Sequence, residues 1–402
     1  MRILVANDGF GDAGGVQRYL DACIRGLVAR GHTVAMLHRD PFGAAARVSP
    51  LIASLPQFSV AAAGLDGALA AVRGWRPDVC FSQNMDRLDV ERGLAAVAPV
   101  VKFMHGYAGT CVSGLKRHGF PQACPCDRTF GPACAVLFIP RRCGRLSLTT
   151  LQSQYRWAKQ QQQLFASYRA IVVASGHMRD EYLRNGAIGD RVHVNPLFAT
   201  NEPVRAPSAP NTRASVAFLA RMTTLKGGDV LIRATARASR LLETRIALTM
   251  IGDGPARPEW EALARRLDVD CTFTGWQDDD SRFDTVRRAD LVAVPSTWPE
   301  PFGLTGLEAG ALGVPAIAFD VGGIREWLRP GVNGVLVGAD PPSASALGDA
   351  LAAAFRDRAQ LTAMRPQALA VAREMSLERH LDRLETLLGA CNATAQRLAA
   401  GE

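Results

Sequence analysis

The chain is expected to fold as an α/β protein made of two doubly wound domains, and three observations predict this. Short apolar strands alternate with helical stretches along most of its 402 residues. The alternation comes in two series, opening at Arg2 and at Ser215, with PLFATNEPVRAPSAPNTR (196–213) between them. That stretch is rich in proline and alanine, has little periodicity, and reads as the interdomain linker. In both series, loops that contain glycine follow the carboxyl ends of strands, where open parallel sheets bind ligands. Composition agrees: 48% hydrophobic and 21% charged residues suit a globular chain with a sizeable core. The length suggests about two to three domains.

In the first series, Arg2 to Ala6 is a strand, followed by Asn7-Asp8-Gly9, the Gly14-Gly15 pair, and a helix from about Val16 to Arg30. Gly31-His32 ends that helix, and Thr33 to Leu37 is the next strand, which completes a βαβ start. Gly15 is a candidate for close approach of a ligand to the backbone. Strands follow at Asp78 to Ser82 and Val100 to Met104, with a helical stretch between them. His105, in KFMHGY, comes directly after the second of these, so it is expected to face the cleft. Residues 106–146 are expected to be a long loop with little core of its own. Ser147 to Tyr168 reads as a polar helix and Ala170 to Ala174 as a strand. Ser175 is placed to cap a helix from Gly176 to Arg184, and a short strand runs from Arg191 to Asn195.

In the second series, strand Val216 to Ala220 leads through Arg221-Met-Thr-Thr-Leu-Lys226-Gly227-Gly228 to a helix from Asp229 to Leu242. Two cations between a strand end and a helix start suit a diphosphate clamp. Strand Ile246 to Ile251 turns at Gly252-Asp253-Gly254-Pro255, and strand Cys271 to Thr274 ends in Gly275-Trp276-Gln277. Trp276 could line a nucleobase slot or simply pack at the strand end. Asp278-Asp279-Asp280 immediately precede a helix, so capping explains them better than metal binding.

The most specific stretch is PSTWPEPFGLTGLEAGALGVPAIAFDVGG, Pro295 to Gly323. Strand Leu291 to Val294 enters it, a helix starts near Leu304 and ends at Gly310 to Gly313, and Ala316 to Phe319 is the following strand. Glu300 sits just before the helix and Glu308 about two turns inside it. Beyond it, Gly322-Gly323 opens a short helix and Val335 to Val337 is a strand. Helices follow from Ser343 to Arg356, Ala359 to Arg373 and Ser376 to about Leu388.

This string resembles the retaining glycosyltransferases of family 4, and the resemblance covers nearly all of residues 1–390, most strongly from Ser215 to Val337. It implies the GT-B fold, with two Rossmann-like domains facing a cleft and a C-terminal helix crossing back to the first. The implied division is 1–198 on the acceptor side, 199–375 binding the nucleotide sugar, and 376–402 as the returning helix. The implied reaction moves a sugar, with retention, from a nucleotide sugar to a saccharide or lipid-linked acceptor in cell-surface polysaccharide synthesis. Glu300 would hold donor-sugar hydroxyls, the amides of Phe302, Gly303, Leu304 and Thr305 the distal phosphate, and Glu308 the ribose. Arg221 and Lys226 would hold the diphosphate, and His105 would lie near the reacting sugar. The Gly14-Gly15 loop would lie across from the phosphates, and no metal would be required for the chemistry. Two other classes are a sugar-nucleotide epimerase of similar shape and a non-catalytic nucleotide-sugar binder. A nicotinamide-dependent oxidoreductase is disfavoured, because neither Gly9-Phe10-Gly11 nor Gly14-Gly15 gives the Gly-x-Gly-x-x-Gly turn it needs.

Charge narrows the partners. Residues 1–200 hold 23 Lys+Arg against 13 Asp+Glu, a balance of +10, whereas the remaining residues hold 23 against 25, a balance of −2. The excess is densest between Lys116 and Arg191. Without a helix-turn-helix, zinc-finger or RNA-binding signature, an anionic membrane face or anionic lipid-linked acceptor fits it better than nucleic acid. No apolar run reaches the roughly 20 residues of a membrane span, and MRILVANDGF does not read as a secretory signal. A cytoplasmic protein, peripheral at the inner membrane face, is therefore expected. Of nine cysteines, Cys111, Cys124, Cys126, Cys134 and Cys143 cluster in the 106–146 segment. An odd total without a signal argues against a disulfide framework and leaves a structural zinc site as one possibility.

Overall fold

Two all-parallel sheets carry the structure, a computed structural model that describes residues 1–9, 14–39, 49–203, 206–208 and 211–400. The Gly9-Phe10-Gly11 segment and the expected linker 196–213 fall partly outside the described residues. In the first sheet the strands lie in the order Gln57–Ser59, Thr33–His38, Arg2–Ala6, Val79–Ser82, Val100–Met104, Ala170–Val173, Val192–Val194. In the second the order is Cys271–Gly275, Ala247–Ile251, Ser215–Leu219, Leu291–Val294, Ala316–Phe319, Gly334–Val337. Both sheets reverse direction beside their first strand, and that reversal opens a crevice at the strands' carboxyl ends.

The strands read as apolar runs because helices cover both faces of each sheet. Arg2–Ala6, Val79–Ser82, Val100–Met104 and Ala170–Val173 are buried almost throughout. Helix Gly15–Ala29 buries Tyr19, Leu20, Cys23, Ile24 and Leu27 as one stripe. Of the three aspartates, Asp278 caps the helix Asp279–Arg287, accepting from Ser281 N at 2.9 Å, and Asp279 and Asp280 lie in its first turn. Ser175 likewise accepts from Met178 N at 3.2 Å.

The C-terminal helix, Leu377–Ala400, is longer than expected and packs on the helix Gly15–Ala29 and the strand Val79–Ser82 of the first sheet. A Cβ on Gly26 would meet Leu381 Cδ1 at 2.3 Å, so the two helices touch where a side chain is missing. Tyr19 Oη lies 3.0 Å from His380 Nε2, and Arg30 reaches Asp382 and Glu385.

Residues 106–146 differ from the sequence expectation. They form a small hairpin, Arg117–His118 with Cys124–Pro125, and a helix, Pro132–Leu137. Val112, Phe130 and Phe138 pack with Ala158 of the polar helix Leu148–Gln163, giving the segment its own apolar core. Lys116, counted above among the basic excess, is buried and paired with Glu181 at 2.8 Å.

Candidate active site

Between the two sheets lies a cleft of about 980 Å³ whose walls bring the sequence-selected residues together. Gly15 and His105 line it from the first sheet. Arg221, Lys226, Gly252, Trp276, Glu300, Phe302, Gly303, Leu304, Thr305 and Glu308 line it from the second.

The second wall is assembled by close backbone approaches. Gly227 has φ +65°, and a Cβ there would lie 1.9 Å from Pro295 O, so only glycine lets this loop lie on the 295–297 segment. Thr297 N donates to Leu225 O at 2.9 Å and fixes the same contact. The consequence is that Lys226 meets Glu300: Nζ donates to Oε1 at 2.7 Å. Ser296 Oγ and Trp298 Nε1 donate to that same oxygen, at 2.5 and 3.0 Å. All three bonds fall on Oε1, which leaves Oε2 for a ligand. Lys226 also lies 5.5 Å from the Trp298 ring centre.

Gly303, at φ +84°, ends the loop and starts the helix Leu304–Ala311 without a side-chain cap. The first backbone N–H groups of that helix are therefore open to the cleft, as an anion site requires. A Cβ on Gly306 would lie 2.0 Å from the Trp327 ring, which in turn donates from Nε1 to Phe302 O at 2.7 Å. Glu308 is buried and accepts from Thr200 Oγ1, while Asn201 Nδ2 donates to its backbone oxygen at 3.2 Å. Burial raises the Glu308 carboxyl above its usual range, and Arg18 and the Thr200 bond partly oppose this. Arg221 is exposed on the cleft wall, and the Trp276 indole is 65% exposed, the disposition of a stacking surface rather than of a packed core ring.

His105 comes from the first wall. Its ring stands 4.6 Å from Phe103 and 5.3 Å from Tyr19, and Nε2 lies 2.7 Å from Gln83 Oε1. Burial, with Lys102 and His380 nearby, depresses its pKa to about 3.

Sequence reasoning missed Gln83, Lys102, Ser296, Trp298 and Thr200. Two signals were available. Gln83 directly follows a strand's carboxyl end, the rule that selected His105. Lys102 is a charge inside the buried strand VVKFM, and such a charge needs a partner.

A structural zinc site at the cysteines, one possibility from the sequence, finds no support among the described residues. All five thiols are unpaired and partly buried, and among the described residues no three His, Cys, Asp or Glu side chains are placed to hold a metal ion. Burial, and after it the neighbouring thiols of Cys111, Cys126 and Cys134, push the Cys143 thiol up to about 12. The segment has its own apolar core of Val112, Phe130, Phe138 and Ala158.

The comparisons agree with this geometry. Residues 13–198 match the model described as Glycosyltransferase Family 4, and residues 201–370 match Glycosyl transferases group 1. The D-inositol 3-phosphate glycosyltransferase of Nocardia farcinica is 37% identical over 202 residues, which are 46% of this chain and 44% of that one. The enzyme of that name from Rhodococcus erythropolis is 29% identical over 358 residues, 83% of this chain and 77% of that one. The chain spans about half the length of the relatives it matches at 37% and 34% identity, 44% and 53%. Anabaena HepE in complex with UDP superposes with a TM-score of 0.70 at 19% identity, covering 97% of this chain and 100% of that one. WaaG, a glycosyltransferase of lipopolysaccharide biosynthesis, gives 0.66 at 18% identity, covering 96% and 99%. With two family models covering consecutive halves, and two facing parallel sheets joined by a returning C-terminal helix, the chain belongs to the family 4 glycosyltransferases of the GT-B fold.

Proposed function

We propose that this protein transfers a glycosyl group, with retention, from a nucleotide sugar to a saccharide or lipid-linked acceptor in cell-surface polysaccharide synthesis. One observation carries the reading: an uncapped helix end, two cations and two carboxylates converge on one wall of a cleft whose other wall holds His105. The donor's distal phosphate would take the amides of 302–305, and its ribose would take Glu308. Arriving diphosphate would draw Lys226 from Glu300 while a sugar hydroxyl bonds the freed carboxylate, so both ends of the present ion pair are used. No side chain stands out as a nucleophile. A same-face substitution follows, in which the leaving phosphate oxygen helps to deprotonate the acceptor. Arg221, Lys226 and the amides hold the charge that develops on the diphosphate, without calling on a metal for chemistry. On this reading residues 1–198 present the acceptor, 199–375 the donor, and 376–402 tie the two together.

The acceptor-side partner we infer is an anionic membrane face. The 106–146 segment and its junction expose Phe120, Val136, Leu146 and Leu148. They accompany the exposed Arg128, Arg142 and Arg145, and Arg142 lies over the Phe120 ring. Apolar side chains among cations suit a lipid interface. Among the described residues no helix is long and apolar enough to cross a membrane.

The test is nucleotide release from UDP-, GDP- and ADP-sugars, with D-inositol 3-phosphate or short saccharides as acceptors. The anomeric configuration of the product is then read by NMR. Release that accelerates with an acceptor and gives the donor's own anomer is expected. An inverted product overturns retention, and conversion of the donor sugar without an acceptor favours the epimerase.

A further inference from the structure

Beneath the first wall of the cleft lies a polar network that the reaction as written does not use. Ser82, Gln83, Glu91 and Lys102 are each at most 4% exposed: Ser82 and Gln83 at the carboxyl end of strand Val79–Ser82, Lys102 within the neighbouring strand Val100–Met104, and Glu91 on the helix Leu88–Ala95. Lys102 Nζ lies 2.5 Å from Glu91 Oε1 and 3.3 Å from Ser82 Oγ, and it also donates to the backbone oxygen of Gln83. Ser82 Oγ donates to Glu91 at 2.6 Å. A buried ion pair is poor evidence for stability, because desolvation offsets much of its attraction. The Gln83 side-chain nitrogen is buried without a hydrogen-bond partner among the described residues, a further desolvation cost. Packing alone does not account for retaining this arrangement.

Its one outlet toward the cleft is the bond from Gln83 Oε1 to His105 Nε2 at 2.7 Å. An amide oxygen can only accept, so Nε2 must carry the proton. The other ring nitrogen, Nδ1, has no hydrogen-bond partner among the described residues, on a ring that lines the cleft. We propose that Gln83, anchored through its backbone by the Lys102–Glu91 pair, is a positioning residue. It holds His105 in the Nε2–H form and presents Nδ1 as an acceptor for a sugar hydroxyl. The identity of that ligand rests on the glycosyl-transfer reading; the positioning does not.

The groups facing His105 act in one direction. Lys102 lies on its own strand and His380 on the C-terminal helix, and both oppose a second positive charge on the ring. Tyr19, on the helix Gly15–Ala29, and Phe103 offer only ring contacts. Glu91 accepts from Lys102 and Ser82 through Oε1. His105 therefore works as a neutral acceptor and not as an acid, with its tautomer set by the residue behind it.

The experiment reads the imidazole in the intact protein by long-range ¹⁵N–¹H NMR, with His105 assigned from a His105→Asn variant. Wild type should show the Nε2–H tautomer, neutral from pH 5.5 to 8. Gln83→Leu should move the proton toward Nδ1. Gln83→Glu should raise the titration of His105 by about one pH unit or more, because a carboxylate beside Nε2–H favours the imidazolium. The acidic limb of turnover should move with it. If either variant fails to fold, Lys102→Met with Glu91→Leu removes the charges together, and His105 should again titrate higher. An Nδ1–H tautomer in wild type, or a tautomer and titration unmoved in the folded variants, overturns the proposal. The NMR signal needs no substrate, so it decides the positioning even if nucleotide release shows that the transfer reading is wrong.

Discussion

The two walls of the cleft are built in opposite ways. On the second, backbone lies on backbone: Cβ atoms added at Gly227, Gly252 and Gly322 would meet carbonyl oxygens at 1.9, 2.3 and 2.2 Å. On the first, Gly9, Gly15 and Gly106 have nothing within 4 Å, and Gly14 meets only the end of the Gln17 side chain. The second wall is thus preorganised by the chain itself, which suits an invariant task such as holding a diphosphate. The first is open and relies on side chains over a buried polar network, which suits a task that varies, such as choosing an acceptor.

The contrast fails at once if the second wall's carboxylate is dispensable. Glu300→Ala should lower turnover by roughly 10²-fold or more, comparable to losing one preorganised transition-state contact. Nucleoside diphosphate affinity, measured by calorimetry, should change far less. Unchanged turnover in a folded variant would remove Glu300 from the sugar. The glycines test the backbone half of the comparison. Gly227→Ala must adopt a left-handed conformation and push against Pro295 O, costing about 2–4 kcal/mol. Gly15→Ala should stay within about 0.5 kcal/mol. Equal shifts in denaturation midpoint for the two would dissolve the distinction.

Arg221→Ala and Lys226→Ala should each weaken nucleoside diphosphate binding about tenfold or more, through loss of a charge-assisted contact. Binding of the free nucleoside should hardly change. Lys226→Ala has a second expected consequence, since it leaves Glu300 with two donors, Ser296 and Trp298. Its turnover should therefore fall further than its affinity. If calorimetry finds diphosphate affinity intact in both variants, the phosphate lies elsewhere in the cleft.

The same contrast explains what could be read from the sequence. Glycines that must accept a positive φ or a close approach, and prolines that end a strand, leave a fixed string, so the Pro295–Gly323 wall was legible nearly to the residue. Its helix was expected near Leu304 and begins there. The 106–146 segment was not legible. Its small core draws Ala158 and Tyr155 from a helix read as polar, and no local period announces that pairing. Phe130 and Phe138, which centre that core, stand in a stretch whose sequence draws attention to its cysteines instead. A count of charges likewise does not show that Lys116 faces inward to Glu181. Gln83 follows a strand end as His105 does, but its role shows only once the histidine after the next strand stands beside it.

The smallest effect concerns how the first wall is closed from behind. His380, on the returning C-terminal helix, is buried, with Nδ1 2.8 Å from Pro196 O and Nε2 3.0 Å from Tyr19 Oη. A neutral ring satisfies both, donating from Nδ1 to the carbonyl and accepting at Nε2. Burial lowers its pKa to about 4, and that of His105 to about 3, from 6.5. The unfolded chain therefore takes up protons near pH 6.5 that the folded chain refuses. The stability that these neutral rings contribute is fully present above pH 6.5 and is lost as pH falls toward 4. Each histidine steepens the loss by at most about 1.4 kcal/mol per pH unit. Urea midpoints should fall steadily from pH 6.5 to 5, above the range where most carboxylates titrate. His380→Gln should be less stable than wild type at pH 7 but should show the shallower slope. A wild-type midpoint that stays flat across that interval, or a variant with an undiminished slope, would show that the returning helix is held without regard to the charge of its histidine.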